Sequence, residues 1–181
     1  MDAQRYALVS YVSSSVGRFV ERLRQEIHPA LPHLPAHLTI LPPRNLRGSE
    51  LFALQTLEEV CSQAEPFDVE LGEVETFVPV TSTVFIDVAR GGNFMHALHD
   101  RLNIQALQCA EEWPYMPHLT VAKLNSHQEA QQAYVTARDR WAEFAGTRVV
   151  SLKQLTFVRE ESENHWVDLA GLPLGRSLVE R

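Results

Sequence analysis

Apolar residues along the 181-residue chain fall into short runs separated by longer stretches with a helical period. "YALVSYV" (6–12) is β-branched and aromatic enough for a buried strand. Behind a cap drawn from Ser13 to Ser15, Val16, Phe19, Val20, Leu23 and Ile27 recur at helical spacing and predict a helix over 16–27. A proline-rich loop, "HPALPHLP", leads to "AHLTIL", read as a strand stopped by Pro42-Pro43. Residues 49–65 predict a second helix capped by Ser49, and 67–78 alternate as one strand kinked near Gly72, or as two. The order then restarts. Residues 83–88 predict a strand, 92–106 a helix with Phe94, Leu98 and Leu102 on one face, 115–124 a strand, and 126–145 a helix capped by Ser126. Residues 148–160 and 165–174 predict the closing strands.

Strand, helix, His-x-Thr strand, helix, strand therefore occurs twice. "VELGEVETFV" (69–78) resembles "VSLKQLTFV" (150–158), and each is followed by a short strand, "FIDV" (85–88) and "WVDL" (166–169). This pattern predicts an α+β fold built as a bilobal, pseudo-twofold duplication. Each lobe is expected to be an antiparallel sheet with helices on its outer face. The repeat halves run over about 1–82 and 83–181, forming one domain of two intertwined lobes. The symmetry axis would set the two His-x-Thr strands side by side at a central cleft. Residues two apart on a strand share a face, so His37 projects with Thr39 and His118 with Thr120, while Leu38, Ile40, Leu119 and Val121 point into the core.

Composition changes this picture in three places. Hydrophobic content of 45% and charged content of 22% are those of an ordinary globular domain. Lys and Arg total 16 against 23 Asp and Glu, a net charge of −7, which argues against a protein that wraps long nucleic acid. No apolar run approaches the roughly 20 residues of a membrane span. The start, with Asp2 and no basic lead, is unlike a signal peptide, and Cys61 and Cys109 lack C-x-x-C spacing. Both cysteines are read as reduced thiols, and the chain as a cytoplasmic monomer.

The chemistry lies in "HLTI" (37–40) and "HLTV" (118–121). Two imidazoles facing one another, each beside a hydroxyl, suit a phosphodiester. One neutral histidine takes a proton from the nucleophile and the other, protonated, gives one to the leaving oxygen. The threonine hydroxyls can donate to the non-bridging oxygens. No acidic cluster stands beside either motif to hold magnesium, so no cofactor or metal is expected.

The two motifs, their order of elements and the contexts "PAHLTILPP" and "PHLTVAK" resemble the 2H phosphoesterase superfamily over essentially the whole chain. Its members include LigT-like and YjcG-like proteins and cyclic phosphodiesterases. The resemblance implies opening of 2′,3′-cyclic phosphates or ADP-ribose 1″,2″-cyclic phosphates, with 2′-5′ RNA joining in some members. The partner is then a small cyclic phosphate nucleotide or an RNA end. Two other readings use the same residues: a 2′-5′ RNA ligase, and a non-catalytic binder of nucleotides or RNA ends. Arg44 and Lys123 are further candidates for phosphate. Tyr11, Tyr115, Phe85 and Trp113 are candidates to stack on a base. Simple alternation sets Lys123 on the face away from His118 unless the strand bends. His96 and His99, three apart on a helix, are expected to be solvent-exposed rather than metal ligands, and His28, His33 and His165 to lack a chemical role.

Overall fold

Eight strands hydrogen-bond in the order β6-β3-β4-β5-β2-β1-β7-β8. The computed structural model describes residues 4–30 and 33–175, so Asp2 and part of the proline-rich loop lie outside the described residues. The elements are β1 (Tyr6–Tyr11), α1 (Ser15–Ile27), β2 (His37–Arg44), α2 (Glu50–Gln63), β3 (Phe67–Thr76), β4 (Thr83–Arg90), α3 (Gly92–Leu102), β5 (His118–Lys123), α4 (His127–Ala142), β6 (Val149–Leu152), β7 (Gln154–Ser162) and β8 (His165–Pro173). All described strand pairs are antiparallel. The fold is α+β with two four-stranded halves, β6-β3-β4-β5 and β2-β1-β7-β8, as the duplicated pattern predicts. No helix among the described residues is long and apolar enough to cross a membrane.

Capping starts two of the helices as expected. Ser49 Oγ accepts from Phe52 N–H at 3.1 Å. Ser126 Oγ accepts from Glu129 N–H at 3.1 Å, and the Glu129 carboxylate returns to Asn125 N–H at 3.1 Å, a reciprocal arrangement that satisfies two donors. The helices cover one face of the sheet, and α1 and α3 cross between halves while α2 and α4 stay on their own. α1 follows β1 but packs on β5, α3 follows β4 but packs on β2, α4 lies on β3 and β4, and α2 lies against β8. The main core lies between them, with Leu8, Leu38, Ile40, Leu57, Ile86, Leu119 and Trp141 all essentially inaccessible.

Three expectations are corrected. β2 runs through Pro42-Pro43 because the ladder to β1 is irregular there: Leu8 pairs with Leu41 and Tyr6 with Arg44. One extra residue bulges out of β2, and a bulge asks for no donor from proline nitrogen. The single strand read over 148–160 is two strands in opposite halves of the sheet, β6 pairing with β3 and β7 with β1. Only Lys153 separates them, and two peptide links span at most about 7.6 Å, so the sheet must curl until its edges approach. Phe94 is exposed, and α3 buries Met95, Leu98, His99 and Leu102 instead.

Gly17 fixes where α1 leaves β1. A Cβ there would sit 1.6 Å from the Val12 carbonyl oxygen, while Val12 N–H is bonded to Ala36 O, just before the first motif. Gly17→Ala is expected to destabilise the protein by about 3 kcal/mol, the upper end for overpacking, read as a shift in the urea midpoint at unchanged slope.

Candidate active site

The two halves of the sheet meet where Leu38 of β2 pairs with Leu119 of β5. Both leucines are fully buried, as are Ile40 and Val121. Alternation turns His37, Thr39, His118 and Thr120 to the other face, free of helices, where all four are half-buried. Antiparallel pairing about the leucines sets His37 across from Thr120 and His118 across from Thr39, so the imidazoles are diagonal neighbours.

Each histidine is anchored in the same way. His37 Nδ1 lies 2.8 Å from Pro35 O, and His118 Nδ1 lies 2.6 Å from Met116 O. A carbonyl oxygen only accepts, so Nδ1 carries the proton in both rings and each neutral Nε2 is left with its lone pair. Burial holds His37 down to about 4, against the pull of the Pro35 carbonyl, and the charges of Arg24, Lys123 and His118 add to the depression. His118 is also lowered, first by burial and then by Lys123, with the Met116 carbonyl opposing.

Lys123 shares the face of both histidines because β5 bends. Phe85 pairs with Thr120 and Val84 with Ala122, so one extra residue bulges out after Thr120 and brings Lys123 back to the histidine face. Its side chain keeps solvent contact, and its ammonium is lowered by partial burial and by Arg5. β2 has the same irregularity after Thr39, where Val9 pairs with Thr39 and Leu8 with Leu41.

These bulges give the motif carbonyls unusual partners. Tyr115 Oη donates to Thr39 O at 2.8 Å. Arg24, buried in α1, donates to Thr120 O at 2.8 Å and Val121 O at 2.7 Å, and also meets Leu34 O and the Glu21 carboxylate. Glu21 in turn accepts from Ala36 N–H at 2.7 Å, tying the lead-in of the first motif to the clamp on the second. Sequence reasoning missed Arg24. Its signal was a charged residue in phase with Val20 and Ile27 on the apolar stripe of α1.

Other expectations change. Arg44 is buried, and its guanidinium is committed to Pro42 O, Asn103 Oδ1, Leu107 O and the Glu111 carboxylate, a structural cation of the core rather than a phosphate ligand. Tyr115 is a backbone clamp whose ring stacks on His99 at 4.1 Å, which removes it as a base platform. His99 is buried rather than exposed, bridged to Glu111 at 2.6 Å, whereas His96 is exposed. Phe85 and Phe77 stack at 4.0 Å and set their rings 5.2 and 5.3 Å from His118. Trp113 is exposed. Tyr11 pairs across from His37 and donates to Asp168 Oδ1 at 2.6 Å. Among the described residues no three His, Cys, Asp or Glu side chains converge on a metal position.

Two depressions, of about 590 and 490 Å³, sit at equivalent places in the two halves. One lies where β4 enters α3 beside Met116-Pro117, the other where β1 enters α1 beside Pro35-Ala36. Each is therefore bounded by the residues leading into one motif histidine.

The family model of the 2′-5′ RNA ligase superfamily matches residues 12–163. The chain belongs to this superfamily, the 2H phosphoesterases. Among its relatives are proteins named as phosphoesterases from Oceanobacillus iheyensis, 27% identical over 128 residues (69% of this chain, 74% of that protein), and Halalkalibacterium halodurans, 26% identical over 125 residues (68% and 72%). The same fold is found in E. coli LigT in its apo form, at a TM-score of 0.64 and 14% identity over 97% of this chain and all of LigT. A Thermus thermophilus protein gives 0.61 and 16% over 96% and 99%. LigT has also been crystallised with 3′-AMP, at a TM-score of 0.62 and 14% identity, covering 97% of this chain and all of LigT. The family read from the two motifs is thus borne out, and the fold of this 2H phosphoesterase is LigT-like.

Arg24→Met strips three carbonyls of their donor and is expected to cost about 3 kcal/mol in urea unfolding, more than an average surface change by several-fold. The depressed histidines give a second expectation. A bound anion favours the imidazolium, so protons are taken up on binding. Affinity for sulfate, which does not titrate in this range, should rise as pH falls from the ordinary 6.5 toward 4. Calorimetry in buffers of different ionisation enthalpy reads the uptake; zero uptake contradicts the assignment of these shifts.

Proposed function

We propose that this 2H phosphoesterase opens cyclic phosphodiesters of the 2′,3′-cyclic nucleotide or RNA-end type, with His37 and His118 as general base and acid. One neutral Nε2 takes a proton from water as its oxygen bonds to phosphorus. The P–O bond to one ribose oxygen breaks, and the other imidazole, protonated, gives its proton to that oxygen. The sum is hydrolysis to a monophosphate, with the proton lost by one histidine replacing the proton given by the other. Thr39 and Thr120 donate to the non-bridging oxygens, and Lys123 stabilises the charge that gathers there.

The observation that carries this reading is the matched pair of Nδ1–carbonyl anchors, which leaves two Nε2 atoms on one open face with a hydroxyl beside each. Both rings are neutral in the free protein at neutral pH, so the charge of the substrate phosphate lifts one of them toward protonation. A nucleotide-sized ligand is supported by the LigT crystals holding 3′-AMP and ATP. In this scheme the chain acts alone, and its repeat halves, 1–82 and 83–181, each supply one histidine.

Phosphorus NMR of a nucleoside 2′,3′-cyclic phosphate in EDTA-containing buffer tests the scheme. Wild type should yield one monophosphate, and His37→Ala and His118→Ala should each lose about 10²–10⁴-fold in kcat. A bell-shaped pH profile should accompany turnover. Activity that EDTA abolishes and zinc restores would sink the metal-free scheme; tight binding without turnover would leave a nucleotide binder.

A further inference from the structure

The two halves share a frame but not the residues beside their histidines. Tyr11 pairs across from His37, and the equivalent partner of His118 is Asp87. Asp87 folds back on its own sheet, Oδ1 accepting from Glu73 N–H at 2.6 Å beside Gly72, where no Cβ would fit. Tyr11 does the opposite. From β1 its side chain crosses β7 to reach Asp168 on β8, with Oη donating to Oδ1 at 2.6 Å.

That reach fixes how the ring lies. Through Val158, Asp168 stands in register with Ala7, four residues along β1 from Tyr11, so the reach is diagonal across two strand spacings, at least about 9.6 Å, and the ring must lie low over the sheet. Beneath it is a separate apolar cluster on the open face, Ala7, Val9 and Val158, against which both Tyr11 and Trp166 pack. Trp166 lies two residues before Asp168, on the same face of β8, and the Arg5 guanidinium stands 5.9 Å from its ring, paired with Glu160 at 2.6 Å. An apolar bed, a flat aromatic ring tethered at its tip and an exposed carboxylate beyond it thus run outward from His37. Tyr11 uses Oδ1 of Asp168, and the second oxygen stands on an exposed residue.

We propose that this strip is a nucleobase subsite: the base lies on the Tyr11 ring, with its Watson–Crick edge donating to Asp168, and the site prefers guanine. The inference rests on the phosphodiester reading, which sets the phosphate between the histidines and leaves the base to one side. A carboxylate only accepts. Guanine offers adjacent N1–H and N2–H donors, whereas adenine and cytosine each offer one exocyclic amine. Uracil sets its lone N3–H between two carbonyl oxygens, which the carboxylate repels. The tether matters because a ring held at both ends gives up little freedom when a base lies on it.

Calorimetry with guanosine and uridine 3′-monophosphates, on the whole protein in EDTA, tests this. Wild type should bind the guanosine nucleotide about tenfold or more tightly, the discrimination one good pair of base contacts supplies. Asp168→Asn should bring that ratio to within about threefold. Tyr11→Leu should weaken both nucleotides by roughly tenfold, the worth of one stacked base. Tyr11→Phe keeps the ring without the tether and should lower the ratio with little loss for uridine, so the test survives if the leucine variant folds poorly. A ratio unchanged in Asp168→Asn overturns the proposal, as does a wild type that binds both nucleotides alike. A stacking loss in Phe77→Leu that Tyr11→Leu lacks would put the base beside His118 and also overturn it. The two readings fail separately. Guanine preference without turnover of any cyclic phosphate sinks the catalytic scheme alone; equal turnover and equal binding of every base sinks the subsite alone.

Discussion

Everything chemical in this molecule depends on one backbone junction, the pairing of Leu38 with Leu119. The two leucines are fully buried, each held in the core that the crossing helices close. A strand has period two, so sinking these leucines forces His37, Thr39, His118 and Thr120 to the opposite face together. A slip of one residue at this junction would bury an imidazole and expose a leucine on one strand. The hydrophobic core therefore sets the register of the histidines, and no contact between them is needed to bring them near each other.

The junction carries little ladder of its own, and the motif strands are each bent by a bulge just after threonine. A bulge frees backbone carbonyls from the sheet, and half-buried carbonyls want donors. Tyr115 and Arg24 supply them, each from outside the strand it serves. Tyr115 precedes the second motif and holds the first; Arg24 lies on the helix after β1 and holds the second. This exchange ties the halves together where direct pairing is sparse. It also explains why a buried cation is tolerated in α1: its donors are met by three carbonyls and the Glu21 carboxylate, and its charge helps keep His37 neutral.

What was legible in the chain was local and periodic. Ser49 and Ser126 announced helices because a cap is a contact between residues three apart. The motif pair was legible because strand alternation needs no tertiary information. Arg24 was not, since a charge on an apolar stripe reads as an interruption until its carbonyl partners, some 96 residues away, are known. The strand through Pro42-Pro43 and the division at Lys153 failed for one reason: both depend on which strands lie alongside, and proline is forbidden only where a neighbour requires a donor. Arg44 looked like a phosphate ligand because it follows the motif in sequence, yet the two bulges between Thr39 and Arg44 cancel in phase and leave it on the core face, against Glu111 and Asn103. A single bulge after Thr120 turns Lys123 to the histidine face, so the two cations that follow the motifs meet opposite fates.

That divergence shows how a duplicated frame acquires direction. Strand order, bulge position and Nδ1 anchors are common to both halves, so the frame alone would treat the two sides of a bound phosphate alike. The differences lie in what was free to vary once the frame was set: Tyr11 against Asp87, Val9 against Phe85, a tethered ring over small apolar residues against two stacked phenylalanines edge-on to His118. A phosphodiester has two unlike ends, and hydrolysis breaks one P–O bond rather than the other. A site that presented identical walls could bind the phosphate in two orientations, and in the proposed mechanism only one would align the leaving oxygen with the protonated histidine. Under the proposed scheme, unequal walls would remove that degeneracy and convert a symmetric pair of imidazoles into one base and one acid for a given substrate.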